Sequence, residues 1–248
     1  MFKARPNTPF ETGLPGDGQE GRGPVQIAII GAGNVGKALG TALRSKGHTV
    51  IYGSRAPANR TERNVKTVSD ALVGAEAVIL ATPWFATEAL VCQHAGGLAG
   101  KIVIDATNPI HPSLARLAVA SNSSGAELLQ SQARQAKFFK AFNSTGVNVM
   151  AQPRFAEGKA AMFVAGPDGA DKDTVLRIVA DVGFESVDAG ELKAARLLEH
   201  LAMLWIQLAH AKGHGRDFAF VIARRQDAAN RDAEPRVRVV HPQPQEAE

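Results

Sequence analysis

Six residues, Gly31-Ala32-Gly33-Asn34-Val35-Gly36, restrict this chain more than any other feature. They join an unbroken apolar run, residues 25–30, to a stretch of helical composition, residues 35–46. Glycines at the first, third and sixth places of a strand–turn–helix junction have separate uses. Gly31 permits the tight turn, Gly33 lets backbone approach a pyrophosphate, and Gly36 lets the helix pack close to the strand. With Asn34 and Val35 opening the helix, its unpaired N–H groups and positive dipole end form an anion cradle.

The chain repeats this alternation. Strands are expected at 49–52, 77–81, 101–105 and 137–142, and helices at 67–74, 85–94 and 125–134. The strand runs lack polar alternation, as parallel strands covered on both faces do. Strands alternating with helices point to crossover connections. The expected fold class is α/β, a doubly wound parallel sheet of Rossmann type.

After residue 143 the texture changes. Strands are expected at 159–166 and 184–189, with a helix at 171–182 between them. The longest helical pattern follows at 191–212, stopped by Gly213 and Gly215. The expected organisation is a dinucleotide-binding domain over 25–143 and a small mixed α/β domain over 144–225. Residues 1–24 and 226–248 are Gly/Pro-rich or polar and are expected to be disordered. Leu197, Leu198, Leu201, Met203, Leu204, Trp205 and Leu208 spread apolar surface over more than one helix face. That surface needs cover beyond one small domain, so a homodimer is expected.

Composition removes several function classes. The single cysteine, Cys92, leaves no internal disulfide, CxxC pair or cysteine-built metal site. His48, His111, His200, His210 and His214 show no metal-ligand spacing and are assigned to surface or interface roles. The single tyrosine, Tyr52, has Ala56 four residues on, which excludes Tyr-x-x-x-Lys catalysis. No apolar stretch approaches the roughly 18–20 residues of a membrane span. No secretory leader is evident, and a cytoplasmic location is expected. Residues 25–225 hold 22 basic and 16 acidic side chains, an excess that favours an anionic ligand. No Lys/Arg stripe interleaves with aromatics, so nucleic acid is not the expected anion.

The end of the second strand narrows the ligand. An NAD site usually places Asp or Glu about 20 residues beyond the glycines, on the ribose 2′-hydroxyl. Here the chain reads Ile51-Tyr52-Gly53-Ser54-Arg55, without an acid. Ser54 can donate a hydrogen bond, and Arg55 offers a planar fork to a phosphate. Arg60, Arg63 and Lys66 follow, against Glu62. A 2′-phosphate would be welcome, so NADP(H) is the expected cofactor.

In a doubly wound sheet, ligands sit beyond the carboxyl ends of the strands. Three such ends carry polar turns: Thr82-Pro83-Trp84, Thr107-Asn108-Pro109, and the turn opened by Asn143. They are expected to line the nicotinamide side. They offer hydroxyls and amides but no evident nucleophile or strong base, and no catalytic residue is assigned. Hydride transfer suits such a site, because positioning carries most of its work.

The segments GAGNVGKALG, GHTVIYGSR, ATPW, VIDATNP, KAFNSTG and DAGELKAARLLEHLAMLWIQLAHAKGHGRDFAF occur in that order. Together they resemble the NADPH-dependent coenzyme F420 reductase family, over roughly residues 25–225. The resemblance implies hydride exchange between NADPH and a small-molecule acceptor, a deazaflavin (F420-like) or flavin-like ring. It also implies Ser54 and Arg55 on the 2′-phosphate. Asn143 departs from the pattern, standing where archaeal deazaflavin reductases carry a histidine. The alternative reading is a non-catalytic NADPH-binding sensor or interaction module, which would bind NADPH without oxidising it.

Overall fold

The computed structural model describes residues 23–59, 64–113 and 116–224. The expectations for 1–22, for Arg60, Glu62 and Arg63, and for 226–248 lie outside the described residues.

The first half alternates strand and helix. β1 (Gln26–Ile30) leads into α1 (Asn34–Ser45), then β2 (Thr49–Ser54), β3 (Val65–Thr67) and α2 (Val68–Leu72). β4 (Ala77–Leu80), α3 (Trp84–Gln93), α4 (Ala95–Leu98) and β5 (Ile102–Asp105) continue the winding. α5 (Gly125–Gln132) and β6 (Lys137–Lys140) complete it. These six strands form one parallel sheet in the order β3-β2-β1-β4-β5-β6. The order reverses between β1 and β4, which opens a crevice above their carboxyl ends.

Successive residues of each strand feed opposite cores. Ile27, Ile29, Ile79, Ile104 and Phe139 pack with Leu39 and Leu43 of α1. Ala28, Ile30, Val78, Leu80 and Phe138 pack on the other face with Leu72, Val91 and Leu129. Burial on both faces is why these strands read as continuous apolar runs.

The second half adds α6 (Val147–Ala151), β7 (Arg154–Phe155), β8 (Gly158–Lys159), β9 (Ala161–Val164), α7 (Ala170–Val182) and β10 (Glu185–Asp188). The strand expected at 159–166 is divided. Gly158 and Lys159 fold back on β7, while β9 pairs in parallel with β10. The break falls at Ala160, whose N–H donates to the Pro153 carbonyl instead. A short antiparallel bridge between Lys140 and Ala165 fastens β9 to β6. Met162, Val164, Val175, Ile178 and Phe184 join the α1-side core, so that core runs unbroken across residue 143.

α8 (Ala195–Ile206) occupies the centre of the expected 191–212 helix. It follows a 3-10 turn, Leu192–Ala194, and ends in a π-helical turn, Gln207–Ala211. Gly213 and Gly215 then take positive φ, as stops do. Leu198, Ala202 and Trp205 face inward, while Leu197 is 73% and Leu204 46% exposed. Trp205 donates through Nε1 to the Phe218 carbonyl at 3.0 Å and stacks on its ring, which turns the following chain back over the helix.

His48 corrects an expectation. It is buried, not at the surface: Nδ1 accepts from the Val25 N–H at 3.1 Å, and Nε2 lies 3.0 Å from Asp181 Oδ2. With Nδ1 accepting, Nε2 carries the proton and donates to the carboxylate. The ring thus joins the start of β1 to α7. Among the described residues no helix is long and apolar enough to cross a membrane.

Candidate functional site

A cleft of about 450 Å³ opens where the strand order reverses. Gly31 and Gly33 come to it from the turn after β1, Ser54 and Arg55 from the end of β2, and Thr82 and Pro83 from the end of β4. Ile30, Val68, Ala86 and Leu90 supply apolar lining. The sequence reading missed these four, because an apolar residue facing a cleft has the same pattern as one facing the core.

The three glycines differ in what holds them. Gly31 has φ +116°, and a Cβ there would stand 2.4 Å from the Ala81 carbonyl oxygen. At Gly36 a Cβ would stand 2.0 Å from the Gly31 oxygen, so the turn and helix could not close. Gly33 has an ordinary φ of −84°, and a Cβ there would meet nothing within 4 Å. Neither backbone conformation nor internal packing calls for glycine at 33. The space over it is open beside the cleft. No side chain caps α1, and its first turn holds no acid, so no side chain of the helix competes with an anion for its leading N–H groups.

Ser54 Oγ accepts from the Ala56 N–H at 3.2 Å, which leaves its own proton to donate. The exposed Arg55 guanidinium has no hydrogen-bond or ion-pair partner among the described residues. Asn34, Val35 and Gly36 form the first turn of α1 behind the glycine loop and do not line the cleft.

Trp84, Thr107, Asn108, Pro109 and Asn143 are likewise absent from the cleft wall and sit in a second cluster. Asn108 Nδ2 donates to the Asn143 carbonyl at 2.7 Å, and Asn143 Nδ2 donates to Asn108 Oδ1 at 3.1 Å and to the Leu198 carbonyl at 2.9 Å. Pro109 is buried. Trp84 opens α3 with its ring against Gly125, where a Cβ would stand 2.9 Å from Cζ3.

Beneath this cluster lies a group that the sequence reading missed. Lys140 Nζ donates to Asp105 Oδ2 at 2.8 Å, to the Thr107 carbonyl at 2.7 Å and to Glu199 Oε1 at 2.9 Å. All three side chains are closed to solvent. Burial works against the ammonium charge, but attraction from Asp105 and Glu199 outweighs it and raises the Lys140 pKa above the ordinary lysine value. Asp105 Oδ1 accepts from the Thr107 N–H and hydroxyl at 2.9 and 2.7 Å. Glu199 Oε2 accepts from the Gly125 N–H at 3.0 Å, at the N-terminus of α5. The outer end of that junction is a bidentate pair, Arg196 Nε and Nη2 on Glu127 at 2.8 and 2.6 Å. The Arg196 bond holds the Glu127 carboxyl below the usual glutamate range.

Sheet order, glycine turn and cleft define the class: a Rossmann-type dinucleotide-binding protein. Residues 26–109 match the family described as NADP oxidoreductase, coenzyme F420-dependent. A crystal structure assigned as an F420-dependent NADP reductase from Arthrobacter sp. FB24 is 32% identical, with TM-score 0.72 over 81% of this chain and 100% of that one. The F420-dependent NADP reductase of Methanothermobacter marburgensis is 28% identical over 215 residues, 74% of this chain and 92% of that protein. Rat metalloreductase STEAP3 is 29% identical over 184 residues, 72% of this chain, and the match spans 36% of the STEAP3 length. The chain belongs to the coenzyme F420-dependent NADP oxidoreductase family, and by that membership is an oxidoreductase.

Proposed function

We propose that this chain transfers hydride between NADPH and a deazaflavin- or flavin-like acceptor. The observation that carries this reading is the cleft itself, with open space over Gly33 and a serine–arginine corner in place of an acid. The N–H groups of the α1 N-terminus hold the pyrophosphate. Ser54 donates to the 2′-phosphate, and Arg55 sets its fork on it. When bound, NADPH supplies the hydride. Residues 25–143 hold the cofactor, and residues 144–225, through α8, complete the acceptor side. The turns at Thr82, Thr107 and Asn143 orient the acceptor and exclude water. None of them contributes a nucleophile, so the protein's part is to position rather than to form a covalent bond.

We further propose that the protein is a cytoplasmic homodimer. Exposed Leu204 lines an apolar groove of about 720 Å³ with Leu117, Met203 and Ile206, and a second copy would cover it. Light scattering at micromolar concentration should give twice the chain mass.

One observation favours the second reading, an NADPH-binding module without turnover: Asn108 and Asn143 direct their amides to each other and to α8. Incubation of the protein with saturating NADPH and a panel of deazaflavin, flavins, quinones and ferric chelates separates the two. Deuterium from labelled NADPH should appear on the deazaflavin carbon. Binding of NADPH with no acceptor reduced would overturn the enzyme reading and support the module.

A further inference from the structure

The hydrogen bonds around Lys140 close on themselves. From Glu199 the path runs to Lys140 Nζ, to the Thr107 carbonyl, along the chain to Asn108, across to Asn143, and from its amide to the Leu198 carbonyl. Leu198 and Glu199 are consecutive in α8, so the circuit begins and ends on one turn of that helix. It binds the crossovers after β5 and β6 to the C-terminal helix. The crossover after β4 joins through Trp84, which packs on Gly125, the residue whose N–H Glu199 accepts.

Two features show that this arrangement is about direction more than cohesion. A buried ion pair is a poor source of stability, since packed apolar groups of the same volume often do as well or better. What the ammonium adds is three donors with three fixed acceptors, which fix α8 against the paired strands β5 and β6. Between Lys140 and Asn143 the chain also bears strain. Phe142 has φ +59°, a left-handed conformation that a bulky residue rarely adopts. Such strain persists only where the surroundings over-determine it. Phe142 is fully buried against Phe184, 6.1 Å between centroids, and its N–H points to Met162 Sδ. The twist ends β6 and turns Asn143 toward α8.

We infer that Lys140, held between Asp105 and Glu199, is a positioning residue for hydride transfer, setting how α8 meets the Thr107 and Asn143 turns. This rests on the hydride-transfer reading above. The cleft lining includes no member of the circuit, so cofactor affinity and transfer geometry should separate.

The test uses the full chain with Lys140→Met, Glu199→Gln and Asn143→Ala. Glu199→Gln keeps an oxygen acceptor for Nζ but loses the acceptor for the Gly125 N–H. Asn143→Ala breaks the circuit on the acceptor side, and if Lys140→Met does not fold, Lys140→Met with Glu199→Leu, which strands one buried carboxylate fewer, carries the test. NADPH Kd by calorimetry should stay within threefold of wild type. Single-turnover hydride transfer to deazaflavin should fall tenfold or more in Lys140→Met and Asn143→Ala, with the KM for NADPH unchanged and a larger primary deuterium isotope effect. Glu199→Gln, which keeps the Nζ bond, should lose less than either. Transfer within twofold of wild type in all variants, or losses that follow NADPH affinity, would overturn the inference. If the wild type reduces no acceptor, the hydride-transfer reading fails, and emission of bound NADPH decides the ordering role. A changed emission in Lys140→Met at unchanged Kd upholds the ordering role, and an unchanged one overturns it.

Discussion

Lys140 and Glu199, 59 residues apart in the chain, meet at 2.9 Å with neither side chain open to solvent. Removing Lys140 strands two buried carboxylates, Asp105 and Glu199, without a cation, whereas removing Glu199 leaves Lys140 with Asp105 and the Thr107 carbonyl. Lys140→Met should therefore destabilise the fold by about 3–5 kcal/mol in chemical denaturation. Lys140→Met combined with Glu199→Leu, which strands one carboxylate fewer, should cost less than Lys140→Met alone. A loss under about 1 kcal/mol for Lys140→Met would mean that water reaches the group.

The glycine turn separates fold from ligand at neighbouring positions. Gly36→Ala drives a methyl into the Gly31 carbonyl and should cost on the order of 1–3 kcal/mol, by thermal or urea melts. Gly33→Ala meets no protein atom and should change stability by less than about 0.5 kcal/mol. Its NADPH affinity should nonetheless fall tenfold or more, about 1.4 kcal/mol. Unaltered NADPH affinity in Gly33→Ala would place the pyrophosphate elsewhere.

Arg55 governs cofactor preference on the proposed reading. The wild type should bind NADPH at least tenfold tighter than NADH, about 1.4 kcal/mol. Arg55→Ala should erase most of that gap and leave NADH affinity nearly unchanged. Titration calorimetry with both cofactors measures it, and equal wild-type affinities would remove Arg55 from the 2′-phosphate.

The Glu127 carboxyl titrates lower in the folded chain than in the unfolded one, chiefly through its bond from Arg196. Its contribution is fully present above the ordinary glutamate pKa and is lost as pH falls through the lowered folded value. Glu127→Gln should lower the melting temperature near neutral pH and have progressively less effect in acid. A difference between variant and wild type that stays constant down to pH 3 would contradict the linkage.

Much of the architecture was legible because its signals are local. The apolar runs of β1, β4 and β5 and the spacing of Gly31, Gly33 and Gly36 need no distant partner to be read. The triad was not, although it left a trace. Asp105 ends the run Ile-Val-Ile-Asp, Lys140 interrupts Phe-Phe-Lys-Ala-Phe, and Glu199 interrupts Leu-Leu-Glu-His-Leu. A lone charge inside a buried run must find a partner, and three such charges of mixed sign can find one another. Which of them meet depends on the register of β5 against β6 and on the docking of α8, both long-range. His48 escaped notice for the same reason: its partner, Asp181, is 133 residues away. The three polar turns were expected to form one site, but Thr82 and Pro83 line the cleft while Thr107 and Asn143 bond inward to their own elements and α8.

The sheet order has a consequence for how such a chain can diversify. β2, with Ser54 and Arg55 at its end, lies on one side of β1, and β4, β5 and β6 with their crossovers lie on the other. On the proposed reading, the choice of electron donor and the choice of electron acceptor are therefore written in separate stretches of sequence, before residue 67 and after residue 81. Recombination or engineering at the β2–β3 corner could exchange one dinucleotide for another without touching the acceptor side. Remodelling of the later crossovers could recruit a new acceptor while the donor stays the same. One scaffold can then supply a common reductant to many different oxidants through changes confined to one edge of its sheet.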